Sequence, residues 1–256
     1  MKKILNSYKR RQKGLKRVNK KELILGAAGA LFMMMGDLAL SIVTPDNADE
    51  GLFLREAYLS GSWELWRGLF ILVTGVLGIY GYSYGMKGIR KSLDPGYRRT
   101  EIVFDIGTKL YLFTGLTIHF AIGVGAYLTS YLGANYGREL AIQTVSDYWE
   151  QFAPGFALTY LGMAAVFVIH SVMLLFDKTV YSKKMIGFSP LLWMLVMAII
   201  SDIGQVLDSN KYAWEYMVSQ TSGNAGPFIW FMACLFLPDD FKYNRKEQKS
   251  KGRRCA

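Results

Sequence analysis

Asp37, His119, His170 and Asp202 stand inside long apolar runs of this 256-residue chain. A charged side chain at bilayer depth costs about 2.5–3.5 kcal/mol or more, so such groups need partners or a purpose. Gln205 and Asp208 follow Asp202 at successive i+3 steps, which puts all three on one helix face. Arg67 opens a second apolar run beside Trp63, Glu64 and Trp66. Asp37, Asp202, Gln205 and Arg67, with His119 deeper, are therefore expected to form one polar cluster near the outer membrane surface. Within it, one aspartate would keep its proton or be neutralised by Arg67. Two acids outnumber one arginine, and tryptophan faces attract cations. The expected ligand is accordingly small and cationic or amphipathic. Asp37 and Asp202 would supply charge, His119 and Gln205 hydrogen bonds, and Trp63 and Trp66 an apolar wall. His170 is isolated near a polar edge and reads as a core histidine.

Other chemistries fit these residues less well. A zinc hydrolase needs about three His or acid ligands at matched spacing, and two histidines on different segments do not supply them. None of Ser41, Ser130, Ser171 and Ser201 stands in a Gly-x-Ser-x-Gly. Gly36-Asp37 lacks the first glycine of the Gly-x-Gly-Asp pattern of intramembrane aspartyl proteases, since Met34 stands there. Cys234 and Cys255 form no C-x-x-C or Cys/His grouping, so neither a metal site nor a disulfide framework is read, and no cofactor is implied. Two alternatives to ligand binding stay open. One is an intramembrane lipid-modifying enzyme with His119 or an aspartate as general acid/base. The other is a structural or regulatory subunit whose aspartates serve as interhelical glue.

Six apolar runs carry these groups, at about 23–44, 67–86, 108–132, 154–176, 186–207 and 226–237. Most approach the ~20 residues that cross ~30 Å of hydrocarbon. The sixth is short and is taken to open at Pro227. Of the 30 Lys and Arg, all but Arg55, Arg67, Arg138 and Lys211 fall in the two tails and in alternate connections, counting Lys109 at the start of the third run with the connection before it. That is the positive-inside pattern. It predicts an all-α, six-span bundle in the cell membrane: a basic tail at 1–22, a membrane domain at 23–238 and a second basic tail at 239–256, both tails cytoplasmic. An odd number of spans would strand the C-terminal basic tail outside, which favours counting the sixth.

The net charge of +10 comes from residues beside apolar runs, where anionic lipid headgroups attract each one by about 1 kcal/mol. No basic face interleaved with aromatics points to nucleic acid. The segments 45–67, 133–153 and 208–225 are rich in Trp and Tyr. They are expected to form short interfacial helices that lid the outer face. Glycines in the second and third runs, with Gly81 and Gly85 four apart, predict close helix packing.

Gly36-Asp37 in the first run, Ser62-Trp63-Glu64-Leu65-Trp66-Arg67 at the start of the second and His119 in the third resemble an uncharacterised bacterial family of six-helix membrane proteins. The resemblance covers the first half of the chain. It implies the topology and no activity.

Overall fold

The structure is a computed structural model that describes residues 18–42, 56–207 and 212–237, with backbone only at 201–202, 204–207, 212–217 and 219–220. The described residues form helices and no strand: α1 Lys20–Ser41, the one-turn α2 Glu56–Leu59, α3 Trp66–Ser92, α4 Arg98–Tyr136, α5 Arg138–Leu175, a 3-10 segment Lys183–Phe188, α6 Pro190–Leu207 and α7 Tyr212–Phe236. Four of them, α1, α3, α4 and α5, are long and apolar enough to cross a membrane, and α6 is apolar over Pro190–Ile200. Large apolar side chains point outward from the bundle, among them Leu69, Phe113, Leu161 and Phe176. Lipid tolerates such a surface. Water on this scale would not, because monomeric soluble proteins rarely expose large contiguous apolar patches.

Local chemistry sets the helix ends. Asn19 caps α1 by accepting from the Lys21 amide at 3.0 Å. Arg90 and Lys91 sit in the last turn of α3, where the helix dipole favours cations. Asp94-Pro95-Gly96 then turns the chain, the Gly96 amide bonding the Asp94 carboxylate at 3.0 Å. Between α4 and α5 a single residue reverses direction. Gly137 has φ +99°, a backbone state that side chains other than hydrogen rarely adopt. The two helices it joins hold 39 and 38 residues. Each is about 58 Å long at 1.5 Å per residue, nearly twice the hydrocarbon thickness.

This hairpin changes the reading of the segments expected to lid the bundle. Residues 133–153 are not separate interfacial helices; they are the apex of α4 and α5. Residues 212–225 are the first half of α7, which runs through Pro227 instead of starting there. Among the described residues, only the single turn of α2 matches the expected short helix. Residues 43–55 and both expected tails, apart from residues 18–22, lie outside the described residues.

Packing follows the small residues. α1 lies against α3 and α7, α4 against α3 and α5, and α6 against α7. At the α1–α3 contact the backbones touch. A Cβ on Gly26 would lie 2.6 Å from the Gly85 Cα, and one on Gly81 2.5 Å from the Leu25 carbonyl oxygen. At the α4–α5 contact a Cβ on Gly162 would lie 2.6 Å from the Tyr111 nitrogen. Small residues are how helices gain van der Waals contact where lipid removes any hydrophobic drive to associate.

Two apolar cores result. The larger joins α1, α3, α4, α5, α7 and the 176–188 connection around Tyr82, Phe167, Trp230 and Phe231. The smaller, at the hairpin end, gathers Leu40, Tyr58, Trp63, Ile71, Ala126 and Val145. At the opposite, basic end, backbone bonds between Ser92 and Val180 and between Asp94 and Lys178 tie the 176–182 connection to the foot of α3.

Gly81→Val should lower the stability of the detergent-solubilised protein by about 1–3 kcal/mol or prevent assembly, the cost of overpacking a closed contact. Gly223→Ala, where nothing lies within 4 Å of the added carbon, should leave the melting temperature in place.

Candidate functional site

Asp37 lies one turn from the hairpin end of α1, partly buried. The Asn224 Nδ2 of α7 donates to its Oδ2 at 2.7 Å. The Asn224 Oδ1 in turn accepts from the Tyr82 hydroxyl of α3 at 2.7 Å. Tyr82 is fully buried, and its ring lies 6.0 Å from that of Tyr111 on α4, centroid to centroid. A carboxyl, an amide and a phenol from three helices thus form one chain of hydrogen bonds inside the bundle, with a second phenol beside it. No described residue bonds the other carboxyl oxygen of Asp37. A hydrogen bond to an ionised group contributes about 1.5–3 kcal/mol, and leaving a buried partner unmade costs a similar amount.

Glycine lets α1 lie close enough for this. A Cβ on Gly36 would sit 2.7 Å from the Thr74 hydroxyl of α3. Thr74 directs that hydroxyl back to the Phe70 and Ile71 carbonyls, the usual way a helix hides a threonine in an apolar setting.

The other expected site residues are spread along the bundle. Arg67 does not turn to Asp37. Its Nε pairs with Glu64 at 2.5 Å, and its Nη1 donates to the Ile42 carbonyl at 2.5 Å and the Ala39 carbonyl at 3.4 Å. Tyr58 donates to the Leu40 carbonyl at 2.5 Å. Together they satisfy carbonyls that the last turn of α1 leaves without intrahelical partners, and the guanidinium suits the negative end of its dipole. Arg67 is therefore a clamp on the end of α1.

Trp63 is 2% exposed and packs on Tyr58 at 5.3 Å within the smaller core, whereas Trp66 is 61% exposed and faces away from the bundle. The two do not make one wall. His119 is buried where α4 crosses α3. Gly75 leaves room for it, since a Cβ there would lie 2.9 Å from the His119 Cβ, and its Nδ1 has no hydrogen-bond partner. Asp202 and Gln205 lie on α6, but their side chains lie outside what the structure describes, as does Asp208. Between α3 and α4 a groove of about 180 Å³ opens sideways, lined by Gly68, Leu69, Leu72, Gly123, Val124 and Tyr127. It is apolar and contains none of the candidate polar groups.

Asn224 and Tyr82 are absent from the sequence-based site. A signal for Asn224 existed. The apolar stretch 226–237 covers only about 18 Å as a helix, so a helix of crossing length there has to extend beyond it, and α7 extends on the N-terminal side through Asn224.

The fold and its interior define a class: an all-helical, membrane-embedded protein with a carboxyl–amide–phenol chain buried between its helices. Among the described residues no group of three or more His, Cys, Asp or Glu is placed to hold a metal. The chain belongs to a family of unknown function, DUF6796, whose model matches residues 1–239. No curated protein and no solved structure matches it.

Asn224→Leu keeps the volume and removes both hydrogen bonds, leaving the Asp37 carboxyl and the Tyr82 hydroxyl without their partner. It should destabilise the solubilised protein by about 2 kcal/mol or more. In a double-mutant cycle, Tyr82→Phe should cost measurably less in the Asn224→Leu background than in the wild type.

Proposed function

We propose that this is a six-span protein of the cell membrane with both termini cytoplasmic, and that it binds a small cationic or amphipathic ligand at Asp37. What supports the ligand reading is the state of the Asp37 carboxyl: Asn224 fixes one oxygen, and the other is left for a guest. A carboxylate pre-positioned in this way needs little reorganisation when a cation arrives. The Asn224–Tyr82 pair behind it is neutral and holds the carboxyl in place without cancelling its charge. Arg67, engaged with Glu64 and the end of α1, does not compete for it. Asp202 and Gln205 remain candidates for the same site from α6, and the basic tails remain candidates for anionic lipid headgroups.

The topology rests on the sorting of Lys and Arg, which leaves four of 30 in the segments assigned outside. It also rests on the 25-residue length of α7, enough for a sixth crossing. Reporters that are active only outside the cell should respond at 45–55, 137 and 208–211 and stay silent at both termini. An active C-terminal reporter would remove the six-span count.

A second reading is favoured by the same hydrogen bonds. They join α1, α3 and α7, which is what interhelical glue does, so the protein would be a structural or regulatory subunit. Calorimetry on nanodisc-embedded protein with tetraphenylphosphonium, a lipophilic cation, separates the two. Ligand binding at Asp37 predicts saturable uptake that weakens at least tenfold in Asp37→Asn. The structural reading predicts a lower melting temperature for Asp37→Asn and the same heat of titration as wild type. Absence of uptake by the wild type would reject the cationic pocket.

A further inference from the structure

A second set of buried polar groups lies towards the basic end, on elements the Asp37 site does not use except α7. His170 of α5 is fully buried, and neither ring nitrogen has a hydrogen-bond partner. Its ring stands edge-on to Trp230 of α7 at 4.7 Å and faces Tyr181 of the 176–182 connection at 6.4 Å, centroid to centroid. The Trp230 indole N–H is buried without a partner as well, and the buried Tyr181 hydroxyl meets only a weak acceptor, the Cys234 sulfur. Cys234, a buried free thiol one helical turn after Trp230, lies beside the Tyr181 hydroxyl. Phe167, Phe231 and Met185 of the larger core surround the group.

A buried donor or acceptor left without a partner is destabilising, and buried polar groups in native proteins are almost always satisfied. Three such atoms, two of them on one imidazole, beside a phenol held only by a thiol, are too many to leave as a scattered loss. We infer that His170, Tyr181 and Trp230 form an internal binding site for a small hydrogen-bonding guest, one or two water molecules, that links α5, the 176–182 connection and α7.

The donor inventory selects this guest. Indole offers only a donor, a neutral imidazole one donor and one acceptor, and a phenol one of each. Burial pushes the Tyr181 phenol well above its ordinary range, so it keeps its proton to donate. Water both accepts and donates, and typically makes about three bonds where it is buried. A metal ion would take a His170 nitrogen and the Cys234 sulfur. It would leave the indole N–H unsatisfied, and it would require a thiolate in an apolar core. An anion would suit the indole but would bring an unpaired charge into the same core. The site stands independently of any reading of Asp37.

His170→Phe discriminates, because it keeps a ring of similar volume and deletes both nitrogens. If water bridges the three groups, the variant strands Trp230 and Tyr181 and lowers the melting temperature of the nanodisc-embedded protein. In the wild type, the His170 ring and the Trp230 indole N–H would also show magnetisation transfer from bound water by NMR. A rise in melting temperature would mean that the nitrogens are simply unsatisfied in a dry core, and it would overturn the proposal. So would stoichiometric zinc or copper retained through purification and lost in both His170→Phe and Cys234→Ser. Trp230→Phe is the second arm. It removes one donor while leaving the ring packing nearly intact, and it should give a smaller loss in the same direction. No change in either variant also rejects the site.

Discussion

The contact of α1 with α3 through bare backbone governs the interior. Gly26 meets Gly85, and Gly29 meets Gly78 and Gly81, backbone to backbone. In water, two helices can be driven together by burying leucines. In lipid that drive is absent, and contact depends on how closely the main chains approach. The approach has a second effect. It leaves the space beside the α1–α3 pair to the long side chains of α7, so that Phe231 reaches across Gly85 and Asn224 reaches Asp37. A bulkier α1–α3 seam would move both acceptor and donor apart. The buried hydrogen bonds are thus placed by residues that themselves offer no hydrogen-bonding side chain.

Polarity is distributed along the bundle in two separate groups. Towards the hairpin end stand Asp37, Asn224 and Tyr82; towards the basic end stand His170, Tyr181, Trp230 and Cys234. Aromatic contacts run between them, from Tyr82 to Phe231, from Tyr111 to Phe167 and from Phe167 to Trp230. Phe231 and Phe167, which stand between them, carry no donor or acceptor that could bridge the two groups. Besides His119, buried between α3 and α4, the described interior thus holds two polar islands in an aromatic matrix, and no described side chain joins one to the other.

The first four apolar runs were legible as membrane-crossing helices because a stretch of some twenty apolar residues has few other physical uses. Asp37 was legible for the complementary reason, as an acid in such a stretch. What escaped was polarity that the fold buries. Thr221, Ser222, Gly223 and Asn224 read as part of an interfacial lid because hydropathy equates polar with wet, whereas Asn224 spends its amide on Asp37 and Tyr82. Residues 133–153 read as a lid because Tyr148, Trp149 and Phe152 are of the kind that sit at the membrane interface. Yet Ala141, Val145, Tyr148 and Phe152 recur at spacings of four, three and four, the mark of one buried helix face. Arg67 escaped differently. Sequence places it at the right membrane depth, but nothing in the sequence says that the frayed carbonyls of α1 lie nearer than Asp37. Trp63 and Trp66 are three residues apart and face opposite ways because the chain enters α3 between them, a change of direction that no composition reveals.

The Asp37–Asn224 bond joins residues 187 positions apart. Chains are synthesised from the N-terminus, and elements pair as they emerge. The α4–α5 hairpin, with one residue in its turn, can close as soon as its second leg is made. Asp37 has to wait for nearly the whole chain. Until α7 arrives, a solitary carboxyl sits in the first helix with no amide to hold it, and arrival of that last helix latches the bundle shut. Quality control that senses unpaired polar groups in the bilayer would therefore see every nascent copy as incomplete until its final helix docks.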